Sequence, residues 1–359
     1  MLVTAAFFAV ALLAAPRARA EEDGATPRTP QAVPAVAAVL PGVLLHGAGH
    51  FALGEKRTAV RLAATEGLGL AVMVGGGATF WLSGAARGLA APATAATLAG
   101  ASVLATTWLA DLYGVFLAER AKGDVIRTAP VVLAEASTVY SAGPALAPAV
   151  RVGSAVTARL GPMAVGFGAS VAPATRYDRV ESSLFYRPFG ATPTRASADG
   201  GFFELGAAAA HARHGAYGFA VSSLELVVAG RLDLARVGRT LRGTFAELSG
   251  GAAVRSLAFD HAAPSSRPDV ALLVRAAFGV AFGRAGDPFR GEAKIYYDHR
   301  HDDDAGGLLA SGLVSGVFGH VGVEGLWLSR SGWGARAYGE VGSAGVLGLS
   351  LLYRIGALR

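Results

Sequence analysis

The feature that most limits what this chain can fold into is a side-chain alternation of period two that runs through its last two thirds. Between Phe289 and His301 the sequence reads FRGEAKIYYDHRH. Arg290, Glu292, Lys294, Tyr296, Asp298 and Arg300 therefore share one face of an extended strand, and Phe289, Gly291, Ala293, Ile295 and Tyr297 share the other. Successive side chains of a strand point to opposite faces, whereas a helix of this length would scatter both sets around its axis. Asp269 to Gly283 repeats the pattern, with Val270, Leu272, Val274, Ala276, Phe278, Val280 and Phe282 set against Ala271, Leu273, Arg275, Ala277, Gly279, Ala281 and Gly283. It recurs with Val150, Val152 and Val156 against Arg151, Gly153, Thr157 and Arg159, and with Met163, Val165, Phe167 and Val171 against Gly166, Gly168 and Ser170. Val180, Leu184 and Tyr186 oppose Arg179, Glu181 and Arg187, and Trp333, Ala335, Ala337 and Val341 oppose Arg336, Tyr338 and Glu340.

Turn signals separate these segments: Leu160-Gly161-Pro162, then residues 190–200, 262–268, 283–288, 302–307 and 342–345. From residue 130 to the end, roughly 19 residues per strand and connection predicts about twelve antiparallel strands, within a range of about ten to fourteen. Two closed arrangements satisfy such a pattern. A soluble sandwich or barrel turns the apolar face inward, and a membrane barrel turns it toward lipid with the charged face lining the lumen. Alternation does not separate them. Strand length, the mean hydropathy of +0.43, and aromatics near strand ends (Tyr186, Phe189, Tyr217, Phe219, Phe282, Phe289, Tyr297, Trp327, Trp333, Tyr353) favour the membrane barrel.

The amino terminus points the same way. MLVTAAFFAVALLAAPRARA has an apolar stretch from Leu2 to Ala15, a helix-breaking Pro16 and Ala18-Arg19-Ala20 before Glu21, the form of a cleavable export signal over residues 1–20. Residues 21–34 are charged and Pro-bearing without periodicity and read as a flexible linker. From 35 to 125 the texture is Ala, Leu, Val and Gly, with helices predicted from Thr58 through Val74, loosened at Gly75-Gly76-Gly77, and from Ala93 to Arg120. Glu66 and Asp111 fall inside these helices; a buried acid is costly there, so each needs a partner, a water-filled space or an interface. Small residues such as Gly67, Gly69 and Gly100 permit close helix contact.

Composition excludes several classes. Only 16% of residues are charged, against roughly 25% in soluble domains. The formal charge is +6, but just three residues are lysine (Lys56, Lys122, Lys294) and the arginines are dispersed, so no nucleic-acid partner is expected. Zero Cys removes disulfides, thiolate metal sites and a Cys nucleophile. No phosphate loop, dinucleotide fingerprint or GxSxG element occurs, and no cofactor is expected.

His46 and His50 in LHGAGHF stand four apart and would share a helical face, with Glu55, Glu66 or Asp111 available as a third metal ligand. Gly47 and Gly49 weaken a helix, and the adjacent Glu of an HExxH enzyme is missing. The plainer expectation is a turn whose histidines bond to backbone or to a helix acid such as Glu66. Asp298 to Asp304 (DHRHDDD) is a solvated acidic loop that could bridge lipopolysaccharide through divalent ions, without the spacing of a calcium loop. The predicted lumen-lining set is Arg151, Arg179, Glu181, Arg275, Arg290, Glu292, Lys294, Asp298, Glu324, Arg336 and Glu340. His211, His214, His261, His299 and His320 have serines in nearby strands, but spacing assigns no Ser/His/acid set and no catalytic residue.

Over residues 130–359 the chain resembles Gram-negative outer-membrane β-barrel proteins. The last strand, VLGLSLLYRI, carries the alternating Leu347, Leu349, Leu351 and Tyr353 of a terminal barrel strand, although the chain closes on Ala357-Leu358-Arg359 and not on an aromatic residue. Residues 40–58 bear a fainter likeness to helical-hairpin membrane domains of the TM2 type, through Pro41-Gly42, Gly47, Gly49, Phe51 and Gly54. The barrel resemblance implies an integral outer-membrane protein, a narrow porin-like pore or a structural barrel whose helical region plugs or docks on it. Its partners would be membrane lipid, lipopolysaccharide, the barrel-insertion machinery and, for a pore, small solutes. The alternatives are a barrel-embedded lipid hydrolase and an inner-membrane helical hairpin carrying a soluble periplasmic β domain.

Overall fold

The computed structural model describes residues 32–84, 86–117, 129–143, 146–195, 200–260, 268–284, 287–299 and 319–356. The expected export signal, most of the linker, residues 300–304 of the acidic loop and the last three residues lie outside them.

Four helices come first: α1 Ala32–Val39, α2 Ala48–Ala52, α3 Lys56–Leu82 and α4 Arg87–Phe116. Helix α1 begins inside the segment expected to be linker. Pro34 is tolerated in its first turn because the first four N–H groups of a helix have no intrahelical acceptor. Helix α3 runs unbroken through Gly75-Gly76-Gly77, where loosening was expected. The reason is packing. A Cβ on Gly76 would stand 2.6 Å from Thr97 Oγ1 and 2.7 Å from Ala93 O, and one on Gly100 would stand 2.5 Å from Gly69 O and against Met73 N. The two long helices thus meet backbone to backbone at glycines, a contact that side chains would prevent. Gly75 and Gly77 face open space.

Twelve strands follow: β1 Val132–Gly143, β2 Leu146–Leu160, β3 Met163–Ala172, β4 Tyr177–Phe189, β5 Phe202–His214, β6 Phe219–Asp233, β7 Thr244–Phe259, β8 Asp269–Phe282, β9 Phe289–Asp298, β10 His320–Ser329, β11 Trp333–Val341 and β12 Gly345–Ile355. Each neighbours the next, and β12 returns to β1, from Val132↔Ile355 to Ala142↔Gly345, to close an antiparallel barrel. Closure leaves no unpaired strand edge. Tight turns use glycine where the backbone is left-handed, as at Gly161 (φ 58°) between β2 and β3 and Gly332 (φ 90°) between β10 and β11.

The apolar face of the alternation is the outer one: Phe167 is 63% exposed, Val165 55% and Leu349 66%. A soluble β domain would bury these side chains, so that alternative does not describe this barrel. Inner-face glycines accept aromatic rings from the next strand. Phe185 lies over its register partner Gly206, Tyr338 over Gly348 and Tyr296 over Gly322. Each ring covers bare backbone and occupies interior volume, the aromatic-on-glycine device of curved sheets.

The chain forms two compact units. One contains the helices with Leu232–Ala246 and Ala276–Ala293, and the other contains the remaining strand segments. In the first, Phe245 lies over Gly279 and packs with Ala281, both side chains fully buried. Outward positions Ala276 and Phe278, expected to face lipid, are 7% and 6% exposed instead, with Tyr113 of α4 edge-on to Phe278 at 6.5 Å.

Candidate functional site

Two polar constellations stand out in a chain otherwise so apolar. One is a set of ion pairs on the inner face of the barrel. Arg231 meets Glu247 at 2.5 Å, and Glu247 meets Lys294 at 3.3 Å. Lys294 also reaches Glu324 at 3.4 Å, and Arg275 lies 3.7 Å from Asp298 and 3.9 Å from Glu324, its guanidinium over the Tyr296 ring. Tyr296 donates to Glu340 at 2.6 Å, and His320 stands 3.7 Å from the same carboxylate.

Several of these bonds skip strands. Lys294 on β9 reaches Glu247 on β7, Tyr296 on β9 reaches Glu340 on β11, and Arg336 on β11 reaches Glu135 on β1 at 3.4 Å. Arg159 on β2 reaches Glu204 on β5 at 3.0 Å, where Arg187 also binds at 2.9 Å. Neighbouring strands stand about 4.8 Å apart, so side chains two and three strands removed converge only on the concave side of a curved sheet. The charged face is therefore the inner one.

Of the residues expected there, Arg275, Lys294, Asp298 and Glu324 form one cluster. Arg336 and Glu340 bind elsewhere, to Glu135 and Tyr296. Arg179 and Glu181 pair along β4 at 3.3 Å, and Arg151 lies over the Tyr177 ring at 5.4 Å. Arg290 and Glu292 share the same face of β9 but belong to the unit that contains the helices. Sequence reasoning missed Arg231, Glu247, Glu204 and Glu135. In β7 the large apolar Phe245 shares the inner face with Glu247, which blurs the alternation that would have revealed it. Arg159 and Arg187 were visible on the polar faces of β2 and β4, yet their common acceptor Glu204 sits in a strand of alanines.

Beside this network the interior retains space. A cavity of about 260 Å³ is lined by Gly166, Gly168, Arg179, Glu181, Ala208 and Ser223 among others, and a second of about 280 Å³ by Glu135, Ser137, Arg151, Gly153, Arg179 and Arg336 among others. The open volume lies along β1–β6, where Gly, Ala and Ser at many inner positions leave space between Glu135, Arg151, Arg179 and Glu181.

The other constellation is in the helices. Asp111 accepts hydrogen bonds from Gly49 N and His50 N, both at 3.1 Å, and binds His50 Nδ1 at 2.5 Å; His50 Nε2 meets Thr240 Oγ1 at 3.0 Å. Glu66 accepts from His46 N at 2.9 Å, and His46 Nδ1 meets Thr107 Oγ1 at 2.6 Å. Left-handed Gly47 (φ 94°) starts α2 and turns both histidines inward. The four candidate metal ligands thus form two His–acid pairs, and among the described residues no three ligand-type side chains gather in one place. Thr240, His50 and Asp111 follow the order nucleophile, base, orienting acid. His50 is nonetheless fully buried with its ring against Gly114, which leaves no room for a substrate carbonyl. The arrangement is a clasp. Thr240 lies in the β6–β7 connection, which is also held by Arg61, donating to Arg236 O at 3.1 Å and Val237 O at 2.9 Å, and by Thr58 against Gly238.

On the outer face, His211 of β5 and its register partner Ser222 of β6 come within hydrogen-bond distance, 3.0 Å from Nδ1 to Oγ, both exposed.

No family model and no curated protein matches this sequence. Among solved structures, the chain is similar to the KdgM porin (8% identity, 62% of this chain and 99% of that one, TM-score 0.37). It is also similar to the β domain of the Bordetella autotransporter BrkA (11%, 63% and 99%, 0.38) and the NanC porin (7%, 62% and 100%, 0.38). At these scores the likeness adds nothing to the barrel that strand pairing already establishes.

Proposed function

We propose that this protein resides in the outer membrane as a narrow, charge-lined barrel that passes small polar or ionic solutes, with its helical region docked on the β6–β7 connection. The observation that carries this reading is the inverted barrel: exposed aliphatic side chains outside, and inside a set of strand-skipping ion pairs that leaves cavities along the Gly/Ala/Ser-lined strands. Charged walls beside open volume are what a water-filled lumen presents. Arg151, Arg179, Glu181 and Arg336 border that volume, whereas Arg275, Lys294, Asp298 and Glu324 brace the wall opposite. On this reading lipid is the obligate partner, lipopolysaccharide is a partner of the acidic sequence from Asp298 to Asp304, and the barrel-insertion machinery delivers the chain. Planar-bilayer recording tests it. Purified protein should conduct, and Arg179→Glu should shift ion preference toward cations more than Arg275→Glu does. Absence of conductance, or unchanged selectivity in both variants, overturns the pore.

A second reading rests on the His211–Ser222 contact, which places a hydroxyl beside a base on the lipid-facing surface, the first requirement of a barrel-embedded acyl hydrolase. Labelling of the folded protein by a fluorophosphonate, abolished in Ser222→Ala, would favour it; an unlabelled protein leaves the pore reading standing.

A further inference from the structure

We infer that the α3–α4 hairpin is itself inserted in the acyl-chain region of the bilayer, so that this protein meets lipid through helices as well as strands. The inference rests on the barrel being membrane-embedded, and four observations carry it.

First, charge is confined to the ends of the hairpin. No Asp, Glu, Lys or Arg occurs from Gly67 to Ala86 or from Gly88 to Ala110, with Lys56, Arg57, Arg61, Glu66 and Asp111 at one end and Arg87 near the tip. From Glu66 to Leu82 there are sixteen steps of about 1.5 Å, about 24 Å, against an apolar band of about 25 Å around an outer-membrane barrel. Second, the stretch is apolar yet uncovered. Of the most apolar window only 22% of α3 and 11% of α4 is buried, and Leu68, Val74, Trp81 and Leu82 are 66%, 56%, 81% and 78% exposed. A water-facing helix does not display such a surface without a partner. Third, several of its hydroxyls bond within their own helix: Thr79 donates to Gly75 O, Thr97 to Ala93 O, Ser102 to Leu98 O and Thr107 to Val103 O. In hydrocarbon no water is available for such groups, and internal bonds of this kind take its place. Fourth, Phe278, an outward position of β8, is covered by Tyr113 of α4. A residue placed to meet lipid meets a helix instead. Helices that associate at Gly69, Gly76 and Gly100 supply the close packing that lipid-embedded pairs use where water drives nothing.

The sequence contains no cysteine, so single-Cys variants can be spin-labelled without background. Full-length protein in liposomes would carry labels at Val74→Cys in mid-hairpin, Val60→Cys at its charged end, and Leu349→Cys on the outer face of β12. The expected result is high oxygen and low nickel-chelate accessibility at 74 and 349, with the reverse at 60. Nickel accessibility at 74 equal to that at 60, or a label at 74 shielded from both reagents, overturns the inference while a lipid-like 349 keeps the barrel reading. A water-exposed label at 349 overturns both.

Discussion

Replacing Asp111 by Ala should release the helical region while leaving the barrel intact. The carboxylate accepts from Gly49 N, His50 N and His50 Nδ1, and both Asp111 and His50 are fully buried. Truncation leaves these three donors in a space that neither water nor another acceptor fills. Each orphaned group costs about 1–3 kcal/mol, and removing one member of a buried pair costs about 3–5 kcal/mol in all. The bonds share one acceptor, so their costs do not simply add; about 3–5 kcal/mol is the appropriate figure, equal to roughly a hundred- to several-thousandfold in a local opening equilibrium. Asp111→Asn keeps the shape and one carbonyl acceptor, and should cost about 1–2 kcal/mol. Native-state proteolysis in detergent reads the difference, because cleavage within α1 to α4 follows the population of the opened form when reclosing is fast. The heat-induced gel shift of the barrel serves as an independent measure of the strands. Cleavage of the Ala variant should accelerate strongly, that of the Asn variant modestly, and the gel shift should hardly move. An Ala variant cleaved within threefold of wild type would refute the clasp, since no other described group accepts from those donors. A gel shift that collapsed along with the helices would show that the barrel requires them.

Two further outcomes follow from packing and charge. Gly100→Ala drives a methyl into the backbone of α3 at Met73 and Gly69 and should separate the hairpin. Gly75→Ala enters open space and should leave helicity unchanged or raise stability by about 1 kcal/mol, as circular dichroism during thermal unfolding would register. Glu247→Gln leaves Arg231 and Lys294 confronting each other and should cost about 2 kcal/mol, lowering the gel-shift temperature by roughly 4–8 °C, and Lys294→Gln in the same chain should restore part of it.

How much of this was legible in the sequence depends on whether the cause was local. The alternation along Phe289–Asp298 specifies strand and face by itself, because period two is a property of a single segment. The strand number followed from turn spacing. Whether aliphatic or charged side chains face inward was not local, since either face can be the concave one; the strand-skipping pairs Lys294–Glu247 and Arg336–Glu135 decide it, and no spacing links residues 47 and 201 positions apart. Gly75-Gly76-Gly77 misled for the same reason. Glycine weakens an isolated helix, but Gly76 is required by Thr97 and Ala93 on a helix that sequence distance hides. Asp111 announced itself as a buried acid in need of a partner, and LHGAGHF as a turn with two histidines. Their union through Gly49, His50 and Asp111 needed the chain to double back over about sixty residues.

The inner wall shows why a twelve-stranded barrel need be neither empty nor full. If bulky charged residues were spread evenly around the circumference, each would face another across the axis and the lumen would close. Here they are gathered into compensated sets, Arg231, Glu247, Arg275, Lys294 and Glu324 on β6–β10 and Arg159, Arg187 and Glu204 on β2–β5, and Gly153, Gly166, Gly168, Ala208 and Ala210 leave volume beside the second set. Aromatic rings laid flat on Gly206, Gly322 and Gly348 fill without protruding far. On the proposed pore reading, Arg179 and Glu181, paired at 3.3 Å and 31% and 49% exposed beside that space, are the groups an entering ion would meet. On that reading charge substitutions at the two places should differ: Arg179 on β4 acts chiefly on selectivity, and the buried network on β7–β10 chiefly on stability.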